Sequence, residues 1–372
     1  MSNLVLNFNS NKIKKIKNPR HVLGGKGANL AEMGKLGLPV PPGFIISTEV
    51  CDYFYKNKKK LPNQVLKKIL LELKSIEQLT NKKFGDLKNP LLVSVRSGAK
   101  VSMPGMMDTI LNLGLNDQTV KALAKKTLNG KFAKDSYRRF IQMYGNVVLG
   151  IEGHLFEEMI DNQKLNKGVL LDTELEENDW DELINIFKEL VKKKTGKNFP
   201  QKVQEQLYGA ISAVFLSWDG QRAKTYRKLN QISDYWGTAV NVQSMVFGNM
   251  GTDCSTGVVF TRNPSTGENV FFGEYLINAQ GEDVVAGTRT PQHITIKGKI
   301  SSGSKEKSME EAMPKVFQSL KKTLFKLEKY YKDMQDVEFT VENKKLWILQ
   351  TRSGKRTAEA GIKIAVDMVK EK

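Results

Sequence analysis

Histidine and cysteine are scarce in this chain of 372 residues, which has three of the first and two of the second. Cys51 and Cys254 are far apart in sequence and make no metal-type spacing, so both read as ordinary thiols of a reducing compartment. His21, His154 and His293 have no Ser, Cys or second His at triad or zinc spacing, and we assign them structural or surface roles. No stretch approaches the ~20 apolar residues that a bilayer span requires, so no membrane partner is expected. The opening MSNLVLNFNSNKIKKIKNPR places its apolar patch before its basic run, the reverse of a secretory signal, and the expected location is cytoplasmic. Arginine is also sparse, at ten of the 58 basic residues. That matters because the formal charge of +18 raises the question of a nucleic-acid partner. The lysines are spread along the chain, often beside asparagine, and no RNP-type or zinc-finger pattern occurs. We read solvated lysine faces and expect no nucleic acid. The same balance suits anionic substrates.

The residues present, 40% hydrophobic and 26% charged, suffice for a large core and for two or three subdomains. Residues 1–115 mix short strands with helices: LVLNF (4–8) alternates like a strand, and a glycine-rich turn at 24–27 precedes a helix. Residues 62–80 carry apolar side chains at every third or fourth position, and NPLLVSVRSGA reads as a buried strand. Residues 116–200 are lysine-rich and helical in period, which suggests an inserted helical subdomain. A further helix over 201–229 leads back to the main body. From Gly237 onward the pattern turns to strands, followed by a helix at 309–334 and a hairpin, DVEFTVENKKLWILQTR. The expected division is 1–115 with 201–240, then 116–200, then 241–354. The tail 355–372 reads as a helix with nothing to pack against, the start of an interdomain linker.

Three segments could carry chemistry. GGKGANLAEM (24–33) sets Lys26 in a glycine-rich turn before a helix, where backbone N–H groups can approach a phosphate closely. It is not a Walker A sequence, and such turns are also common without ligands. SVRSGAKVSMPGMMDTILN (94–112) places Arg96 at the end of an apolar strand, with Met103, Met106 and Met107 in the segment that follows. Arg96 could grip phosphate oxygens under a flexible lid, or make a surface salt bridge beside core-filling methionines. In DVEFTV, Asp336 and Glu338 fall two apart on one strand face; across the turn, Gln350 and Arg352 do the same. Two carboxylates, an amide and a guanidinium on one surface suit Mg²⁺ with substrate phosphates, and equally suit the solvated face of an amphipathic hairpin.

HVLGGKGANLAEMGKLGLPVPPGF, SVRSGAKVSMPGMMDTILNLGLND, YRRFIQMYGNVV, GVVFTRNPSTGE, GEYLINAQGEDVVAGTRTP and DVEFTVENKKLWILQTRSGKRTA occur in this order over roughly 21–360. Together they resemble the nucleotide-binding region of the pyruvate phosphate dikinase family. The resemblance implies an α+β, multi-subdomain ATP-grasp fold with the helical subdomain inserted, ATP as substrate and Mg²⁺ as cofactor. It implies phosphate contacts from Lys26, Arg96 and Arg139, a nucleotide contact from Glu282, and metal and polyphosphate binding by Asp336 and Glu338 with Gln350 and Arg352 beside them. Lys26, Arg96 and Arg352 would be the catalytic cations. The implied reaction converts ATP, phosphate and pyruvate to AMP, pyrophosphate and phosphoenolpyruvate through a histidine on a separate domain; a homodimer is implied for the full-length enzyme. No T-S-H-A-like context surrounds any histidine here, so the expectation is a fragment without the phosphohistidine and barrel domains, unable alone to complete turnover. Cys254 and Ser255 stand where the family has Ser and Gly, in an expected strand-connecting loop. The alternatives are a phosphoenolpyruvate synthase-like ATP-grasp domain and a non-catalytic nucleotide-binding regulator.

Overall fold

The structure, a computed structural model, describes residues 4–287 and 289–371. The chain forms two compact units, one of residues 1–31 with 42–245 and one of 32–41 with 246–372. Helix and sheet mix in both, an α+β chain.

The first unit holds β1 (Val5–Asn7), β2 (Gly43–Ile46), β3 (Lys83–Phe84), β4 (Pro90–Leu91), β5 (Val93–Ala99), β6 (Thr109–Leu113) and β7 (Thr238–Ser244). Five of them make an antiparallel sheet in the order β1-β2-β7-β5-β6, while β3 and β4 pair in parallel by themselves. β7 is the central strand, wholly buried, and residues 240–241 lie in its middle. The expected boundary at 240/241 therefore falls inside the sheet, and the division lies at 245/246 instead. Helix Asn63–Thr80 forms where the period predicts, burying Val65, Ile69, Leu73 and Ile76 at three- and four-residue steps. Each such side chain contributes on the order of 1.5–3 kcal/mol by leaving water. Residues 119–195 are helical, but they belong to the first unit. Helix Gly130–Val147 is tied to the sheet by Asn112 of β6, whose amide donates to the Ser136 carbonyl (3.2 Å). The single helix expected over 201–229 is two, Val203–Ser217 and Gln221–Leu229, parted at Gly220 in extended conformation.

The second unit holds β8 (Ser255–Phe260), β9 (Phe272–Ile277), β10 (Gln292–His293), β11 (Gln335–Glu342) and β12 (Lys345–Ser353), an antiparallel sheet in the order β10-β9-β8-β11-β12. Val337, Phe339 and Val341 alternate into its core together with Phe317, Leu320, Leu324 and Leu327 of helix Pro314–Tyr331. That helix starts at Pro314 because proline suits a first helical position, so the helix expected over 309–334 begins as a separate turn, Met309–Ala312. Segment 32–41 joins this unit: Ile348 N–H donates to the Pro39 carbonyl (2.8 Å), and Tyr331 hydroxyl donates to Glu32 (2.8 Å). Asn343 and Lys344, at φ 48° and 63°, make the β11–β12 turn, both in the left-handed region as a two-residue hairpin of the primed type requires.

The tail departs from expectation. Helix Ala358–Lys370 is packed, with Ala360 and Ile364 buried against Met334 and flanked by Phe260 and Met368. The buried guanidinium of Arg262 clamps its end, bonding Glu371 (3.1 Å) and Glu328 (2.9 Å). Its apolar face looks unpartnered in the sequence because the residues it packs on, Phe260 and Met334, are distant along the chain. Ser255 also departs: it opens β8 instead of lying in a loop, and buried Cys254 accepts the Asn343 N–H (3.3 Å) under the hairpin turn.

Candidate functional site

In the first unit the glycine-rich turn is built against β5. Helix Pro19–Lys35 is interrupted at Gly24, whose φ of 67° and ψ of 168° leave the helical region. A Cβ there would overlap the Gly98 carbonyl oxygen, and one at Gly25 would come 3.3 Å from the Lys100 carbonyl. Only glycine permits both the conformation and the approach. Lys26 follows directly, half-buried. Arg96, also half-buried, is the fourth residue of β5; the strand runs on to Ala99, so it is not at the strand end that the sequence suggested. Antiparallel pairing aligns Leu6, Ile45, Asn241, Arg96 and Thr109 in one row across the five strands. Residues opposite one another share a sheet face. Gly27, next to Lys26, packs on this row: a Cβ there would lie 2.8 Å from Asn241 Oδ1 and 3.1 Å from Ile45. The turn bearing Lys26 and the strand bearing Arg96 are thus brought together on one face.

The other predicted residues of this unit are placed differently. Arg139, in helix Gly130–Val147, donates Nε to Asp135 (3.0 Å), which also takes Arg138 (2.5 Å). Burial pushes the Asp135 carboxyl up, but the two guanidinium charges outweigh it and hold it below the usual range. Met103 is buried with Trp218 and Ala223, and Met106 and Met107 lie half-buried against that cluster. Asp108 beyond them pairs with Arg222 (3.3 Å), and burial raises its carboxyl above the ordinary range.

In the second unit the hairpin gathers its four residues. Asp336 pairs with Arg352 and Glu338 with Gln350 across β11 and β12. Beyond Glu338 the register shifts, Phe339 pairing with Ile348, so Leu349 is skipped in a β-bulge. Bulges re-aim neighbouring side chains, and this one lies on β12 directly beside Gln350. Arg352 Nε donates to Asp336 Oδ2 (2.6 Å), its Nη2 lies 3.6 Å from Glu338 Oε1, and Gln350 donates to Glu338 Oε1 (2.8 Å). On the other side Phe260 and Val258 of β8 lie opposite Asp336 and Glu338. Burial, first, and the neighbouring Glu338 charge raise the Asp336 carboxyl, against the pull of Arg352. Burial works against the charged Arg352 as well, yet the Asp336 bond and charge prevail and its affinity for the proton rises. The pair is uneven because 8% of the Asp336 side chain is exposed against 40% of Arg352. Glu282 lies in the first turn of helix Gly281–Ala286, capped by Gln280 with Asp283.

Whether these residues fit a divalent cation is decided by one atom. Asp336 Oδ1 is buried and has no hydrogen-bond partner among the described residues. A charged oxygen so placed costs free energy unless something cationic takes it up. Among the described residues no three His, Cys, Asp or Glu side chains gather as a metal site. Mg²⁺ needs only one or two carboxylates when waters and phosphates complete its shell, so Asp336 and Glu338 fit it.

Fold and site define an α+β protein of two sheet-based units, one presenting cations on a glycine turn and strand, the other a carboxylate–guanidinium hairpin. Its sequence matches the family described as pyruvate phosphate dikinase, AMP/ATP-binding domain, over residues 20–83, 57–323 and 305–372, and the chain belongs to that family. Similar proteins include "Pyruvate, phosphate dikinase" of Rhizobium meliloti (strain 1021), 53% identical over 371 residues, which covers 100% of this chain and 41% of the relative. The protein of the same name from Clostridium symbiosum is 54% identical over 353 residues, 95% of this chain and 39% of the relative. A chloroplastic one from Flaveria pringlei is 50% identical over 367 residues, 99% and 37%. The chain thus spans about two fifths of the length of these curated relatives. Among the described residues no helix is long and apolar enough to cross a membrane.

Proposed function

We propose that this chain is an ATP-grasp module that binds Mg-ATP and presents its phosphates for transfer, as one part of a pyruvate phosphate dikinase. The observation that carries the reading is the orphaned, buried Asp336 Oδ1 in a network that includes Glu338, Gln350 and Arg352. Family membership supports the nucleotide, and the relatives' name supports pyruvate and phosphate as the other substrates. Lys26 and Arg96 grip phosphate oxygens and Glu282 contacts the nucleotide, whereas Arg139, engaged by Asp135, is given no phosphate role. Asp336 and Glu338 hold the metal, and Arg352 neutralises charge that grows on the transferred group. A bound Mg²⁺ supplies Lewis-acid neutralisation of the polyphosphate.

In the proposed reaction an imidazole nitrogen of a histidine on a separate domain attacks the β-phosphorus, and AMP leaves. Inorganic phosphate then takes the terminal phosphoryl group as pyrophosphate, and the remaining phosphohistidine phosphorylates pyruvate. Such transfers demand little covalent work from side chains; positioning and charge neutralisation supply most of the acceleration, which a site of Lys, Arg and carboxylates provides. Thermal unfolding with and without Mg-ATP tests the reading. Ligand at a hundredfold excess over its dissociation constant stabilises the native state by about 2.7 kcal/mol. The midpoint is expected to rise with Mg-ATP and to rise much less with ATP in EDTA; equal curves in all three conditions would refute the assignment.

A further inference from the structure

Asn241 belongs to none of the motifs, yet it sits where the Lys26 turn meets the Arg96 strand. It lies in central strand β7, fully buried, directly opposite Arg96 on one side and Ile45 on the other. Its carboxamide is flanked by two glycines. A Cβ on Gly98 would come 2.5 Å from Nδ2, and one on Gly27 would come 2.8 Å from Oδ1. Gly27 is the residue after Lys26, and Gly98 is two beyond Arg96 on the same strand face. The amide therefore fills, with a polar group, a gap that two missing side chains create. Nδ2 donates to the Arg96 carbonyl at 3.4 Å, while Oδ1 has no partner among the described residues. An apolar residue of similar volume would fill the same space without leaving a buried acceptor unmet. The polar choice costs stability that packing alone does not require.

We propose that Asn241 is a positioning residue, a strut that sets the spacing between the turn bearing Lys26 and the strand bearing Arg96 so that both cations meet one polyphosphate. It touches no substrate and acts through the backbone of Arg96 and the close approach of Gly27. This inference rests on the Mg-ATP reading above and adds a residue to that site. It also explains why the glycine after Lys26 matters: any side chain there presses on the strut.

The test measures dissociation constants of Mg-ATP and of adenosine for the full chain and for Asn241→Leu, Asn241→Ser, Gly27→Ala and the double variant Gly27→Ala with Asn241→Ser. Each single substitution is expected to weaken Mg-ATP at least tenfold and adenosine less than twofold, because only the phosphates use the two cations. Shortening the strut makes room at Gly27, so the double variant should bind Mg-ATP better than the product of the single losses predicts. A Leu variant that holds Mg-ATP as tightly as the parent would overturn the proposal, and so would parallel losses for both ligands. Asn241→Ser keeps the test decisive if the Leu variant does not fold. Failure of the parent chain to bind Mg-ATP would strike the functional reading itself, whereas tight parental binding with unaffected variants would strike only Asn241.

Discussion

Asp336 carries the clearest conflict between stability and chemistry. Its carboxyl is held above the ordinary range chiefly by burial, so the folded state binds that proton more tightly than the unfolded chain does. Unfolding stability from this group therefore falls as pH rises from the ordinary carboxylate value, about 3.9, through the raised one. Once ionised, the group is a buried charge whose cost a bound cation would offset. We predict that Asp336→Asn leaves the ligand-free protein at pH 7 at least as stable as the parent, while the added stability from Mg-ATP disappears. Arg352 loses a charged partner in that variant, but its 40% exposure lets water replace it. Melting curves at pH 7, with and without Mg-ATP, check both halves; a destabilised apo protein that still responds fully to Mg-ATP would refute this account of the residue. The residue identities at this hairpin were legible beforehand because alternation places Asp336 with Glu338 and Gln350 with Arg352. Their alignment was not, since the register and the bulge at Leu349 are set by cross-strand pairing.

Among elements, the carboxy-terminal helix is where packing corrects the sequence most. Ile364 and Ala360 fill a small core with Met334, whereas Ile362 on the same helix is largely exposed. Ile364→Ala should cost about 2–4 kcal/mol in urea unfolding, because it removes buried methyl groups and leaves a cavity. Ile362→Ala should stay within about 0.5 kcal/mol. Equal, small effects would mean that the helix is the unpacked linker its sequence suggested. Periodicity found the helix but could not identify its partner, since Phe260 and Met334 are distant in sequence. The same limit placed a boundary inside β7: a buried strand entering the centre of an antiparallel sheet from far along the chain looks locally like any other. Strands β11 and β12 were legible because their contact is local and a two-residue turn joins them. The turn at Gly24 was legible as a glycine cluster, though its close approach to Gly98 required the partner strand.

For the molecule as a whole, the formal charge of +18 gives a general attraction for polyanions that weakens as salt rises. Six matched segments made the family legible from sequence, and the match across residues 20–372 bears it out. The central proposal is that Arg96 contributes to phosphate binding and Glu338 to metal binding. Calorimetric titration of Mg-ATP into the parent, Arg96→Ala and Glu338→Ala measures both contributions directly. The account predicts that either substitution weakens binding at least tenfold, about 1.4 kcal/mol or more. Parental affinity in either variant would contradict it.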